Sequence, residues 1–388
     1  MNRQVLRSSG APVALVLNAR KLPLDRTLGV AFYALSLCVS LAKHLKVFVA
    51  VPSVSDALES PFHELLTAVG MEVIALSDVN KLRREFCLVE LCPHHFQKPE
   101  FSNLSCLICH DLHVFDVDWK YQEPSSMQNL FRECLRSASV VVTEFPRTYY
   151  AVEKIAGVCL SNLFLIDSPP LLDTRCASGM EPKSDPPIVL YPAQIQSHKN
   201  HLGLLEGFKQ YLASGRRALL QFSGTEFGPA ESKQVVDYIK ANGLDSSVEF
   251  LGRLSNDEMI SAYGNASAII SPSFAEGGAY IAMEAVLANR PVALSRIDAA
   301  LLHTAQHAIK CDFFDPKDPK AIVDVFSVLL STSREEFARA NSAALSRLSE
   351  ISWDTAATKL VHIIRWLVGL GPRPQMRCDL ASYQIEFD

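Results

Sequence analysis

The stretch SAIISPSFAEGGAYIAMEAVLANRPVALS, residues 267–295, decides the fold. An apolar run (267–273) leads into a loop carrying Glu276-Gly277-Gly278; a helical pattern (279–289) follows, then a second apolar run, PVALS (291–295). Strand, helix and strand in so short a span form the repeating unit of a parallel sheet. The runs are continuous rather than alternating, as strands buried on both faces require.

Working outward, the same alternation fills the chain. Strands are expected at VALVLN (13–18), KVFVAV (46–51), MEVIAL (71–76), FCLVEL (86–91), LSCLIC (104–109), SVVVTE (139–144) and LFLID (163–167). Helix-length segments such as 28–44 and 126–137 lie between them. The stretch LLDTRCASGMEPKSDPP (171–187) is polar, rich in Pro, Ser and Gly, and aperiodic, which reads as a linker. Beyond it come IVLYPA (188–193), RALLQFSG (217–224), VEFLG (248–252), SAIISPS, PVALS and HAIKCDFF (307–314). Helices are expected at 200–213, 231–242, 256–265, 279–289 and 354–369. The reading is two successive α/β domains, each a Rossmann-like doubly wound sheet, facing each other across a cleft. Ligands then meet the carboxyl ends of the strands. The expected boundaries are 1–175 and 186–353, with a C-terminal helix and tail (354–388) packing back toward the first domain.

Composition narrows the function. The 388 residues are 48% apolar and 20% charged, with a net charge of −5. No basic footprint of a nucleic-acid binder appears. The N-terminus lacks signal-peptide architecture. The longest uncharged apolar stretch, Leu28 to Ala42, is 15 residues, short of the roughly 18 to 20 that span a bilayer. The ten cysteines lie mostly in apolar runs and read as reduced thiols in a cytosol.

CLICHD (106–111) matches the Cys-x-x-Cys-His pattern of haem attachment, and CPHH (92–95) nearby raises a zinc site. In a strand, Cys106 and Cys109 point to opposite faces, about 10 Å apart. A disulfide, limited to about 7 Å between Cα atoms, is excluded, and joint grip on a haem or zinc is disfavoured. What remains is a buried strand ending at His110-Asp111.

Two segments carry candidate chemistry. In the 271–295 element, Glu276 precedes two glycines and a helix start, and Glu284 follows eight residues later. Backbone N–H groups at such a start can hold a diphosphate. Equally, Ser273 to Glu276 fits a capping box, with Glu284 facing solvent; on the residues alone both readings stand. A glycosidase pair is set aside, because eight helical residues span about 12 Å against the roughly 5 to 9.5 Å such pairs require. In YPAQIQSHKNHLGLLEGF (191–208), Lys199 sits on a loop between strand and helix. It is either a phosphate-neutralising cation or a solvated loop lysine.

The acid–glycine–acid element resembles the donor-site signature of glycosyltransferase family 4, whose members are retaining, nucleotide-sugar-dependent enzymes of the GT-B fold. YPAQIQSHKNH, VEFLGRLSNDEMISAYGNASAIISPS (248–273), DFFDPKDP (312–319) and ISWDTAATKL (351–360) are similar to further elements of that family. So are LGVAFYALSL (28–37), CHDL (109–112) and VVTEFPR (141–147) in the first half.

The resemblance implies transfer of a hexosyl unit from a UDP- or GDP-linked sugar to a glycan or lipid-linked acceptor, in polysaccharide or glycoconjugate biosynthesis. By the same resemblance His110 lies near the transferred sugar or acceptor, and Asp111 organises its loop. Lys199 stabilises the departing diphosphate. Glu276 binds sugar hydroxyls, and Gly277, Gly278 and Ala279 offer N–H groups. Glu284 accepts both ribose hydroxyls. Arg253 and Leu254 border the base, Gly29 belongs to the first loop, and Tyr280 bears on sugar choice. No cofactor or metal is implied, since lysine and helix N-termini carry the phosphate charge. The location implied is cytoplasmic, with room for peripheral contact at the inner face of a membrane.

The sequence departs from the family at Gln194 and Phe32, which stand where many members have arginine, and at EGGAYI in the sugar-side loop. These departures motivate one alternative, a catalytically degraded nucleotide-sugar-binding subunit; a nucleotide-sugar epimerase sharing the two-domain fold is another.

Overall fold

In a computed structural model of the chain, residues 7–8, 10–22, 24, 29–68, 70–120, 122–157, 161–182, 184–224 and 229–376 are described. They divide into two compact units. The first draws on residues up to 115, 123–171 and the segment from 351; the second holds 116–122 and 172–350. The expected tail 377–388 and Leu28 lie outside the described residues.

The strands are β1 (Arg7–Ser8), β2 (Ala11–Asn18), β3 (Lys46–Val51), β4 (Met71–Ala75), β5 (Cys87–Cys92), β6 (Ser105–Ile108), β7 (Val140–Thr143) and β8 (Leu163–Leu165) in the first unit. They pair in the order β4-β3-β2-β5-β6-β7-β8, all parallel, with β1 antiparallel to β2. Alternate residues of one strand serve two cores. Leu15 and Leu17 join Val47, Val49, Val89 and Leu91 on one face, while Ala14 and Val16 join Phe48, Ala50 and Phe101 on the other. That double burial is why the strands read as unbroken apolar runs.

The uncharged stretch from Gly29 forms helix Gly29–Leu41, buried along most of its length within the first core. The last helix, Trp353–Leu367, packs in the same core through Ala356, Ala357, Leu360 and Ile364. Ser352 and Thr355 close a capping box at its start, and Asp354 pairs with Lys43 at 2.5 Å. No helix among the described residues is long and apolar enough to cross a membrane.

The second unit holds β9 (Ile188–Pro192), β10 (Leu219–Ser223), β11 (Val248–Gly252), β12 (Ala268–Ser271), β13 (Val292–Ser295) and β14 (Asp312–Phe314). The order β11-β10-β9-β12-β13-β14 is wholly parallel. It is the doubly wound arrangement in which the strand order reverses between the two central strands, here β9 and β12. Val189, Tyr191, Leu220, Phe222 and Ile270 pack against helices His201–Ala213 and Pro319–Ser331.

The segment read as a linker is different in the structure. From residue 172 it belongs to the second unit, with Thr174 and Ala177 buried. The cause is Arg290, whose side chain is fully enclosed. Its guanidinium donates to the carbonyls of Tyr263, Gly264, Ala288 and Asn289, and to those of Ala177 (3.3 Å) and Met180 (2.7 Å) in the segment. Met180 in turn lies on Gly264, where a Cβ would come within 2.3 Å of its sulfur. Polarity made the segment resemble a linker, but its backbone carbonyls are what the buried arginine needs.

Arg290→Met keeps the bulk and removes every donor. Orphaning this many buried carbonyls is expected to cost on the order of 3–5 kcal/mol, lowering the second unit's melting temperature by roughly 10 °C. Thermal unfolding followed by circular dichroism measures this; an unchanged transition would refute the clamp.

Candidate functional site in the second unit

Two loops leave the central strands of the second sheet, one after β9 and one after β12, and backbone chemistry ties them together. The β9 loop ends in a single 3-10 turn, Ser197–Lys199, after which Asn200 adopts φ 56° and caps helix His201–Ala213. The Asn200 Oδ1 accepts from the Gly203 N–H at 3.2 Å, and its Nδ2 donates to the carbonyls of Pro272 (3.1 Å) and Pro316 (2.8 Å). Glycine is required at 203, where a Cβ would lie 2.4 Å from that oxygen. The Phe274 N–H donates to the His198 carbonyl at 2.8 Å. Buried Tyr191 donates its hydroxyl to the Lys199 carbonyl at 2.8 Å, beside Ser273 Oγ at 3.1 Å.

This framework brings Lys199 and Glu276 into direct contact. Lys199 Nζ donates to Glu276 Oε1 at 2.6 Å, and each side chain is 19% exposed. The loop lysine is therefore not simply solvated. Nor does Ser273 cap a helix with Glu276: its hydroxyl meets Tyr191 and Ser271, while the carboxylate meets Lys199.

The following helix runs Tyr280–Leu287, with Ala279 at its N-cap and no side-chain cap. Gly277 is buried and Gly278 half-buried. The expectation that Ala279 offers its N–H to a ligand needs correction: that N–H donates to His303 Nδ1 at 2.8 Å. Burial, then neighbouring His307, holds the His303 ring well below its usual range, so it is neutral and can accept there. Tyr280 stands edge-on to the same ring, 5.9 Å between centroids. His303 is separated from Ala279 by 24 residues, and no local pattern announces it.

Glu284 does not face solvent. It is buried, and its Oε2 accepts from Tyr263 Oη at 2.6 Å. Burial pushes its carboxyl up to about 7, against the opposing hydrogen bonds from Tyr263 and the Leu172 N–H. Its backbone carbonyl accepts from Thr174 Oγ1 at 2.5 Å. The expected ribose acceptor is thus already engaged by a tyrosine that sequence reasoning did not find.

Gln194 accepts from Gln196 Nε2 at 3.1 Å. Arg253 is exposed and Leu254 half-buried just after β11. Leu254 lines a cavity of about 340 Å³ with Ser184, Gln221, Glu258 and Asn265. None of Lys199, Glu276 to Tyr280 or Glu284 lines that cavity.

Gly29 and His110 belong to the first unit. Gly29 opens its helix against Leu171, whose Cδ1 a Cβ would meet at 3.0 Å. His110 is buried after β6, and both ring nitrogens are used. Nε2 donates to the Pro93 carbonyl at 2.9 Å and Nδ1 to the Glu144 carboxylate, which also accepts from Ser168 at 3.1 Å. Burial works to lower the His110 pKa, but Glu144 and the Pro93 carbonyl outweigh it and raise it. Both ring nitrogens are therefore engaged within the first unit, by the Pro93 carbonyl and the Glu144 carboxylate. Asp111 accepts from the His113 N–H at 3.0 Å. Burial would raise its carboxyl, yet His113 and His95 hold it well below the usual range. The eight described cysteines are all free. Among the described residues no group of three or more His, Cys, Asp or Glu side chains is placed to hold a metal ion.

The Glu284 shift has a definite sign. Its folded pKa of about 7 lies above the ordinary 4.5, so the stability it contributes is complete below the unfolded value and is lost as pH rises through about 7. Glu284→Gln is expected to flatten this fall by on the order of 2–3 kcal/mol. Urea unfolding at pH 5 and pH 8 reads it directly; an equal fall in both proteins would remove Glu284 as the titrating group.

Residues 179–345 match the family described as glycosyl transferases group 1. The chain is 26% identical over 161 residues to an uncharacterized glycosyltransferase of Methanocaldococcus jannaschii, covering 40% of this chain and 41% of that one. It is 24% identical over 176 residues to D-inositol 3-phosphate glycosyltransferase of Corynebacterium efficiens, covering 45% and 41%. These matches span about two fifths of each curated relative. Among solved structures, Anabaena HepE in complex with UDP and glucose superimposes with a TM-score of 0.69 at 13% identity, over 90% of this chain and 98% of that one. The chain therefore has the GT-B fold of two Rossmann-like α/β units, and its second unit carries the match to glycosyl transferases group 1.

Proposed function

We propose that the chain transfers a hexosyl unit from a UDP- or GDP-linked sugar to a glycan or lipid-linked acceptor, with retention at the anomeric carbon, in polysaccharide or glycoconjugate assembly. The observation that carries this reading is the Lys199–Glu276 contact, formed by the two loops that diverge at the strand-order reversal of the second sheet. An ammonium ion beside a carboxylate there suits a sugar diphosphate. As the bond from the anomeric carbon to phosphate breaks, negative charge gathers on the leaving diphosphate. Lys199 is positioned to stabilise it, and preorganised charge of this kind is worth several kcal/mol. Glu276 accepts from sugar hydroxyls, while Gly277 and Gly278 let the ligand approach the backbone. Glu284, with Tyr263 as its support, faces the ribose, and Arg253 and Leu254 the base. His110 supplies positive charge on the acceptor side. Charge neutralisation by lysine and backbone N–H groups makes the reaction metal-independent. The work is cytoplasmic, peripheral to the inner membrane face where the acceptor is a lipid. Support comes from the relatives: one is named for glycosyl transfer to an inositol phosphate and another was solved with UDP and glucose.

A second reading, a nucleotide-sugar-binding subunit with little turnover, is favoured by Gln194, an amide on the site loop, and by the Ala279 N–H already given to His303. Selective donor binding with no transfer to any of a broad acceptor panel would identify that subunit.

Thermal stability against UDP-, GDP- and ADP-sugars is the first test. A ligand at about 100 times its Kd adds roughly 2.7 kcal/mol, so one base and sugar should stand out; no shift with any would end the donor-site reading. Lys199→Ala is then expected to lower turnover by about 10²–10³, and undiminished transfer would dismiss its role.

A further inference from the structure

The chain enters the second unit at Leu172, and its first residues there converge on one side chain, Glu284. The Thr174 hydroxyl donates to the Glu284 carbonyl at 2.5 Å. The Leu172 N–H donates to the Glu284 carboxylate. From helix Asn256–Asn265, Tyr263 Oη donates to Glu284 Oε2 at 2.6 Å. Thr174 and Tyr263 are both fully buried.

Neither partner of the Thr174 contact needs it locally. The Glu284 carbonyl already accepts from the Ala288 N–H at 2.9 Å. Thr174 stands at the N-cap of the 3-10 turn Arg175–Ala177, where a threonine hydroxyl ordinarily caps its own turn, yet its side chain makes no cap bond there. The hydroxyl is given instead to a residue 110 positions away. The stretch that carries it is itself held. The Ala177 N–H donates to the Thr174 carbonyl at 2.9 Å, and Arg290 binds the Ala177 and Met180 carbonyls.

We infer that Thr174 is a positioning residue for nucleoside recognition, holding Glu284 so that its carboxylate meets the 2′- and 3′-hydroxyls of a ribose. This rests on the donor-site reading above. A long side chain takes one orientation only when both of its ends are fixed, because each freely turning bond otherwise keeps its entropy. Here Thr174 fixes the main-chain end, and Leu172 with Tyr263 fixes the carboxylate. An ionised carboxylate offers about four acceptor positions. Two are taken by Leu172 and Tyr263, which leaves room for two more donors, the number that a vicinal diol presents. Glu284 touches the ribose; Thr174 acts through it.

The test uses the full chain and calorimetric titration with UDP, GDP and ADP, each beside its 2′,3′-dideoxy analogue, in wild type, Thr174→Val, Thr174→Ala and Thr174→Ser. For whichever base the wild type prefers, the diphosphate is expected to bind about ten-fold or more tightly than its dideoxy analogue. Thr174→Val and Thr174→Ala are expected to weaken the diphosphate about five- to ten-fold and the analogue less than about two-fold, so that the preference largely disappears. Thr174→Ser, which keeps the hydroxyl, should retain the preference. An undiminished preference in Thr174→Val and Thr174→Ala would overturn the inference while leaving the donor-site reading standing. So would an equal loss for both ligands, which marks packing alone, or a Thr174→Ser as indifferent as Thr174→Val. A wild type that binds a diphosphate and its dideoxy analogue equally would overturn the inference and remove Glu284 from the ribose. A wild type that binds none of the three diphosphates would overturn the donor-site reading as well.

Discussion

The second sheet pairs β9 with β10 on one side and β12 on the other, and the site follows from that pairing. From β9 the chain crosses to β10; from β12 it crosses the opposite way to β13. Right-handed crossovers in opposite directions place the connecting helices on opposite faces of the sheet, so the two loops part at the central strand ends and nothing in the topology fills the space between them. A parted pair of loops has no ladder to hold it. Asn200, Tyr191 and the Phe274 N–H supply that hold, each joining the β9 loop to the β12 loop by a short polar contact. Asn200 does so from a left-handed conformation, which asparagine tolerates better than most residues. Lys199 and Glu276 meet across loops that these contacts already fasten.

Two buried charges follow one rule: Arg290 and Glu90 are each placed where backbone groups would otherwise be orphaned. Arg290 meets carbonyls at the ends of helices and of the packed segment 172–182. In the first unit Glu90 plays the mirror role: its carboxylate accepts the N–H groups of Glu100, Phe101 and Ser102 and the amide of Asn18 at 2.8 Å. Loops that turn back over a sheet edge cannot pair with strands, so a buried ion gathers their polar groups instead. By this means each unit holds a long connection in place.

The sheets were legible because buried parallel strands leave unbroken apolar runs, and every strand expected from such a run is present within a few residues. Seven helices were legible from their periodicity, whereas Asp298–Gln306, Pro319–Ser331 and Ser342–Glu350 were not named despite their length. Val54–Leu58, His63–Leu66 and Val79–Leu82 were missed because four or five residues make barely one turn. Helix Pro146–Ala156 was missed although its marks were there, proline in the first turn and Gly157 at its C-terminus with φ 65°. The capping-box pattern shows where local reading stops. Ser255–Glu258 and Ser333–Glu336 form true boxes, whereas Ser273–Glu276, with the same spacing, forms none because Tyr191 and Lys199 claim both side chains. The candidate residues Lys199 and Glu276 were found from motif. Tyr263, which bonds Glu284, and His303, which bonds the Ala279 N–H, were not, since they act across 21 and 24 residues of chain.

His110 shows how closely a strand-end histidine can be held. A histidine at a strand end invites assignment as an acid or base, which needs one nitrogen free to exchange a proton with substrate. Here a carbonyl, which can only accept, fixes a hydrogen on Nε2, and the Glu144 carboxylate fixes another on Nδ1. Tyr33 packs edge-on against the ring at 5.2 Å and further limits its motion. Glu144 and the Pro93 carbonyl both favour the protonated ring and outweigh its burial. A ring held on both sides in this way is fixed in orientation by the first unit alone.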